Sequence, residues 1–415
     1  MPRRARGRAF EKDGGGMSGV LQPGYKQTET DTVSTKWKQI TLGEAITFQR
    51  GYDLTNRNRK PGNVPVISSS GRNGTHNEAQ ATGPGIVIGR YGTIGEVFFI
   101  EEDFWPHNTT LFVKDFKGNN PRFLSFLLNT IDYKSFSGKS GVPGVNRNDL
   151  HEINVSIPLL PEQRAIAAAL GDVDALIASL DQLIAKKCDL KQAAMQQLLT
   201  GKQRLPEFSG EWEMKKLGKI ANIQRGASPR PIDSPVWFDQ NSSVGWVRIS
   251  DVTKSGKYLL KTTQRLSLLG ILHSRPVRRG NLIMSICATV GRPIITEIDT
   301  CIHDGFVVFD NLQIDKHFLY YILTFIEDDW SRHGQTGSQM NLNTGLINRT
   351  EFLAPTTHEE QKAIAGVLSD MDAEITALAA QRDKTRVLKQ GMMQELLTGR
   401  IRLLPASLNS PAKNL

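Results

Sequence analysis

Along residues 160–200 apolar side chains return at alternating steps of four and three: Ile166, Leu170, Val173, Ile177, Leu180 and Ile184. A second run, Ile364, Leu368, Met371, Ile375 and Leu378, keeps the same rhythm. This narrow stripe predicts two long helices, each burying one seam in a coiled coil. At 1.5 Å per residue, Glu162 to Thr200 would extend about 58 Å. Pro161 stands where a first-turn proline is tolerated, Thr357 and Glu360 have capping-box spacing, and Gly201 and Gly399 suit the position just past a helix end. Outside these stretches the pattern shortens to strand-like apolar runs between Gly, Asn and Ser turns. They are "VPVIS", "GIVIG", "EVFFI" and "TTLFVKD" in the first half, and "GWVRIS", "NLIMSI", "PIITEI" and "GFVVFD" in the second.

A single amphipathic stripe is more often ordinary core than a coiled coil. Here the stripe is copied. "EQRAIAAALGDVDALIASL" from Glu162 lies over "EQKAIAGVLSDMDAEITAL" from Glu360 without a gap, and the closing "MQQLLTG" is answered by "MQELLTG". The repeat also reaches beyond the helices. "WKQITLGEAITFQRG" from Trp37 matches "WEMKKLGKIANIQRG" from Trp212; Thr93, Gly95 and His107 fall over Thr289, Gly291 and His303; "FLSFLL" answers "FLYYIL". The order is globule, long helix, globule, long helix, an α+β layout with an internal pseudo-twofold repeat. Two narrow seams in one chain most economically bury each other, as an antiparallel pair. The framework repeats while the intervening loops differ, as expected of two readers with one scaffold and different targets.

Composition adds a partner class. With 51 Lys and Arg against 42 Asp and Glu, the 415-residue chain carries a formal charge of +9, which favours a polyanion. Part of the excess sits in "MPRRARGRAFEKDGGG", which reads as a solvated tail within a mostly disordered 1–36, with Met17 as an alternative start. That segment lacks the apolar core of a signal peptide, and no run has the ~18 apolar residues of a membrane span, so a cytoplasmic protein is expected. Cys188, Cys287 and Cys301 are widely spread, without the spacing of a zinc site or disulfide framework.

The motifs that resemble catalytic ones are each incomplete. "GRYGTIG" is followed by another strand-like run, "EVFFI", where a dinucleotide fold needs a helix, so a glycine-rich hairpin fits better. "SGKS" at Ser137 would need a P-loop glycine where Tyr133 stands. No Pro-Pro pair exists to form the tetrapeptide of an adenine methyltransferase. Asp132-Tyr133-Lys134 lacks the upstream carboxylate of a nuclease, and one His per globule, His107 and His303, suits a structural role better than a metal.

Two variable globules, each followed by a helix that opens near "PEQRAIAAAL" or "EEQKAIAGVL" and closes on "MQQLLTG" or "MQELLTG", resemble the specificity subunit of type I restriction-modification systems over residues 37–405. The resemblance implies target recognition domains at 37–159 and 212–356, a central conserved helix with its linker at 160–211, and a C-terminal one with its tail at 357–415. It implies a non-catalytic subunit whose two domains read the halves of a bipartite, asymmetric site in double-stranded DNA. The paired helices would hold the readers apart and dock two methyltransferase subunits, with motor-nuclease subunits added for cleavage. S-adenosylmethionine, ATP and Mg would then belong to partner subunits, and this chain would hold no cofactor and no metal. The turn before the first helix, "IPLLPEQ", departs from "LAPTTHEEQ" before the second, which leaves open whether the two docking surfaces are equal.

DNA contacts are expected from Arg, Gln, Asn and Lys at strand ends. In the first globule the candidates are Arg50, Arg72, Asn73, Arg90, Tyr91, Lys139 and Arg147; in the second, Arg225, Arg230, Lys254, Arg292, Gln335, Gln339 and Asn341. Gln49-Arg50-Gly51 and Gln224-Arg225-Gly226 are the best placed, because each follows an equivalent strand and its glycine permits close backbone approach. Two other readings compete: a self-contained enzyme that cuts or methylates DNA unaided, and a coiled-coil scaffold without sequence-specific DNA binding.

Overall fold

In the computed structural model, residues 25–27, 32–34, 37–136, 144–333 and 342–403 are described. Most of the expected tail, 1–36, lies outside them, although Tyr25–Gln27 pairs antiparallel with Thr32–Ser34. The described chain divides into two compact units. One holds the residues up to Ser179 together with those from Arg382 onward, and the other is Leu180–Gln381. Both boundaries fall inside the long helices, Leu160–Leu198 and Leu396-terminated His358–Leu396, so each unit contains one globule and one half of each helix.

In the first unit a four-stranded sheet is built from β1 (Thr47–Arg50), β2 (Gly85–Gly89), β3 (Val97–Ile100) and β4 (Thr110–Asp115), in the order β1-β4-β2-β3. In the second unit β5 (Asn222–Arg225), β6 (Tyr258–Leu259), β7 (Leu282–Ser285), β8 (Pro293–Thr296) and β9 (Phe306–Asp310) are ordered β5-β9-β7-β8-β6. The registers coincide: Ile86 faces Phe99 across β2 and β3, and Leu282 faces Ile295 across β7 and β8. "GRYGTIG" is indeed the turn of a hairpin, with Gly92 and Gly95 at positive φ. "GWVRIS" is strand only over Gly245–Val247 and becomes helical from Ile249, because Asp251 caps that turn by accepting the Arg248 N–H.

The strand that opens each globule pairs antiparallel with the strand that closes it, Lys38–Thr41 with Asn154–Ile157 and Trp212–Lys216 with Glu351–Pro355. Each closing strand therefore delivers the chain to its long helix from a fixed point. Ile166 and Leu170 pack with Trp37, Phe123 and Ile157, together with Leu396 and Leu397 from the end of the other helix. In the second unit Ile364 and Leu368 pack with Phe352 and Phe318, joined by Met195, Leu198 and Leu199. Within each unit, then, the start of one long helix lies beside the end of the other, antiparallel. Asp174 with Lys389 at 2.6 Å marks the pairing in the first unit, and Asp372 with Lys191 at 2.5 Å marks it in the second. Of the expected seam, Ile166, Leu170, Leu180, Ile364 and Leu368 are buried, while Val173, Ile177, Ile184, Met371, Ile375 and Leu378 are half-buried.

The repeated Glu-Gln at the head of each helix explains much of this geometry. Glu162, 2% exposed, accepts two hydrogen bonds from Arg402, at 2.6 and 2.7 Å. Glu360, 1% exposed, accepts the same pair from Arg204, at 2.5 and 2.8 Å, and a third from the Trp212 indole. The capping box expected of Thr357 and Glu360 does not form, because the Glu360 carboxylate is committed to this bidentate pair. Gln163 accepts the Asn120 N–H and donates to the Pro158 carbonyl; Gln361 accepts the Asp315 N–H and donates to the Pro355 carbonyl. The glutamate thus ties each helix to the segment after the other helix, and the glutamine ties it to its own globule.

Removing one partner of such a pair leaves a carboxylate buried and unpaired. Arg204→Ala and Arg402→Ala are each expected to cost about 2–4 kcal/mol, the lower part of that range reflecting their partial exposure. In denaturant melts, Glu360→Gln combined with Arg204→Ala should be less damaging than the sum of the single changes. A loss below about 0.5 kcal/mol for either arginine would refute the latch.

Candidate nucleic-acid interface

The Gln-Arg-Gly turns sit where the sheet edge meets a loop carrying the repeated histidine. The Gly51 N–H donates to the Thr110 carbonyl and the Gly226 N–H to the Phe306 carbonyl, at 3.0 and 2.9 Å. A Cβ on Gly51 would lie 2.1 Å from the His107 carbonyl oxygen, and one on Gly226 would lie 2.1 Å from that of His303. Glycine is required at both places because backbone meets backbone. Arg50 and Arg225, one residue earlier, are exposed at the ends of β1 and β5.

In the second unit the residues after His303 organise a cationic cluster. Arg225 donates to the Asp304 carbonyl at 2.6 Å, Arg230 to the Asp304 carboxylate at 3.2 Å, and Arg275 to the Arg225 carbonyl at 2.6 Å. The Ser228 hydroxyl, 2.7 Å away, holds the Asp304 carboxyl below its ordinary range, with Arg230 and His303 adding to the effect. His303 is packed against Phe306 and Trp246, and burial pushes its imidazole down. Its Nδ1 accepts the Gly305 N–H at 2.9 Å, which fixes the turn. Arg248, bonded to Gln264, and Arg275, bonded also to Gln224, are cations that sequence reasoning passed over. Arg275 stands in "SRPVRRG", whose density of arginine was the available signal.

In the first unit the loop His107–Thr109 plays the corresponding part. Asn108 donates to Asp53, which lies 3.8 Å from Arg50, and the Thr109 carbonyl accepts the N–H groups of Arg90 and Tyr91. The Arg90 guanidinium lies 4.5 Å above the Tyr91 ring and donates to the Val145 carbonyl. Arg50, Arg90 and Tyr91 are therefore gathered around one loop. The other candidates are not. Arg72 is paired with Glu102, and the Asn73 carbonyl accepts from Arg59, on the separate sheet of Val64–Ser68 and Gly71–His76. Arg147 begins the short helix Arg147–His151, Lys254 is exposed after Ile249–Thr253, and Arg292 is half-buried beside Glu327. Lys139, Gln335, Gln339 and Asn341 lie outside the described residues.

The sequence matches the model of the type I restriction modification DNA specificity domain twice, over residues 34–186 and 209–385. The chain belongs to that family. It is a specificity subunit, the DNA-recognition component of a type I system rather than a catalytic one. The MjaVIII specificity subunit of Methanocaldococcus jannaschii is 27% identical over 301 residues, covering 68% of this chain and 70% of that protein. The S subunit from M. genitalium has the same fold, with a TM-score of 0.61 at 14% identity over 87% of this chain and 96% of that one. A chain from a study of type I assembly and conformational transition gives a TM-score of 0.55 at 16% identity, over 89% and 99%. In this specificity subunit the two Gln-Arg-Gly turns belong to the repeated frame, and the loops around them are where the two halves differ. Among the described residues of this subunit, no group of three or more His, Cys, Asp or Glu is placed to hold a metal, and no helix is long and apolar enough to cross a membrane.

Gly226→Ala is expected to destabilise the second globule by about 2 kcal/mol in thermal melts, because the carbonyl it would strike is backbone. Gly256→Ala, with nothing within 4 Å of the new methyl, should stay within about 0.5 kcal/mol. Asp304 has a folded-state pKa below its unfolded value, so its contribution to stability is complete above the ordinary carboxylate range and disappears as pH falls through about 4 and below. Asp304→Asn should flatten that part of the acid unfolding curve; an unaltered acid limb would refute the assignment.

Proposed function

We propose that the two globules are target recognition domains that read the two halves of an asymmetric, bipartite site in double-stranded DNA, while the long helices set their separation and dock two methyltransferase subunits and the motor-nuclease. The observation that carries the first part is the repeated turn with dissimilar surroundings. Arg50 and Arg225 stand at equivalent strand ends beside equivalent histidine loops, yet Arg90 and Tyr91 flank one, and Arg230, Arg248 and Arg275 flank the other. Guanidinium groups pair bidentately with guanine edges, and exposed arginine also meets phosphate. Dissimilar readers on a matching frame favour a non-palindromic site, whose spacer would follow from the helices.

Docking rests on the outer faces of the helices. Leu183 and Leu190, seven residues apart, are 38% and 47% exposed in the second unit; Val387 and Leu388 are 68% and 59% exposed in the first. Leu183 and Leu190, exposed apolar residues at heptad spacing, suit packing by helices of another subunit, and the adjacent Val387 and Leu388 extend the same argument to the first unit. S-adenosylmethionine, ATP and Mg would act in those subunits, in a cytoplasmic complex.

Mapping methylated adenines with and without this gene should show one bipartite, asymmetric motif disappear; an unchanged methylation map overturns the reading. On the mapped half-site, Arg225→Ala should cost about 1–3 kcal/mol of binding in the assembled complex. Equal loss on random DNA would make it a phosphate contact. Leu183→Asp with Leu190→Asp should release methyltransferase subunits from the complex, measured by native mass, and full retention would exclude this face as the docking surface.

A further inference from the structure

The two sheets differ at one edge. In the second unit β6 covers the outer edge of β8 and runs parallel to it, Tyr258 against Ile295. The Ile295 N–H donates to the Lys257 carbonyl at 3.0 Å and the Glu297 N–H to the Leu259 carbonyl at 2.9 Å. Lys257 seats this strand: its ammonium lies 2.8 Å from the Ser369 hydroxyl and 4.4 Å from the centre of the Tyr321 ring, and Tyr321 donates to Asp372. Burial pushes that ammonium down to about 8. All of Pro293–Thr296 is buried as a result.

In the first unit β3 is the last strand of its sheet, and among the described residues nothing pairs with its outer edge. By the shared register Phe99 and Glu101 stand where Ile295 and Glu297 do, so their N–H groups point to that open edge. Val97, Phe98 and Phe99 are only half-buried. Beside them runs a groove of about 620 Å³ whose walls include Val97, Phe99, Arg122, Phe126, Lys389 and Met393. Its charge is one-sided. Arg122 and Lys389, each over the Phe126 ring, share the single carboxylate of Asp174, at 3.4 and 2.6 Å.

We propose that the open edge of β3 and this groove accept an extended segment of a partner protein as a fifth strand parallel to β3, with an acidic side chain of that segment set between Arg122 and Lys389. An exposed edge is a template for strand addition, main-chain bonds supplying affinity and side-chain pockets supplying selectivity. The covered edge of the second unit shows that this frame takes a strand here, in parallel orientation. The surplus positive charge selects an acid where the second unit holds a lysine. The inference does not depend on what DNA the globules read.

A labelled peptide copying Ser255–Thr263, with glutamate replacing the residue equivalent to Lys257, serves as the probe on the full-length protein. It should bind saturably and slow hydrogen exchange at the Phe99 and Glu101 amides. The unaltered lysine peptide should bind about tenfold more weakly or worse. Lys389→Glu should reverse that preference, which a loosely apolar groove would not do. Absence of saturable binding, or protection elsewhere than Phe99 and Glu101, overturns the proposal. A gain of more than about tenfold on deleting residues 1–24 would show that the chain's own terminus takes the edge, and would overturn it as well.

Discussion

A carboxylate buried at the head of each long helix, held by an arginine that follows the end of the other helix, is the constraint on which the arrangement rests. The charge of Glu162 is met by Arg402 and that of Glu360 by Arg204, with the Trp212 indole as a further neutral donor, so each helix start is completed from the segment after the other helix. A buried, unpaired carboxylate is costly enough that each unit is whole only with both helix halves in place. Apolar seams alone do not enforce this, because a coiled coil tolerates sliding by a heptad. The ion pairs fix register: Glu162 meets Arg402, Asp174 meets Lys389, Asp372 meets Lys191 and Glu360 meets Arg204, each pair at nearly the same sum of residue numbers, as an antiparallel alignment requires.

With the helix ends set, each globule is pinned at three points: its paired opening and closing strands, the glutamine that bonds the N-cap residue (Asn120 or Asp315) of its short helix, Pro121–Leu128 or Lys316–Phe325, and the hydrophobic contact of that helix with the two helix halves. The face around the histidine loop is left outside these constraints. Variation there costs little stability, since loops tolerate change that packed strands do not. This is why Gly51 and Gly226 meet the same carbonyl in both units while their surroundings share almost nothing.

The architecture was legible because it is spelled twice. Periodicity alone would have left two ordinary core helices, but identical positions in both copies, Glu162 with Glu360 and Leu170 with Leu368, removed that alternative. The capping box failed for a reason invisible locally: the carboxylate that a Thr-x-x-Glu spacing offers to the backbone was claimed by Arg204, and no local pattern weighs a bidentate ion pair from a distant segment. The candidate site was legible only where it repeats. Arg50 and Arg225 were found through their shared turn, whereas Arg275 and Arg248 have no counterpart to mark them. Arg72 looked equally available in sequence, but its pairing with Glu102 on another sheet depends on strand neighbours that composition does not reveal.

The pairing of several exposed arginines with carboxylates bears on discrimination. Arg50 lies near Asp53, Arg72 is bonded to Glu102 and Arg230 to Asp304, all with both side chains well exposed. Such pairs contribute about 1 kcal/mol or less, so a nucleic acid can displace them. They still act against every phosphate alike, because a random backbone must compete with a carboxylate already in place and repel it. A base edge that takes both donors of a guanidinium adds about 1–3 kcal/mol of discrimination between bases, which a phosphate contact, alike for every sequence, does not. If the second globule reads DNA through this cluster as proposed, Asp304, held charged by Ser228, would lower affinity for random phosphate, in keeping with a modest net charge of +9.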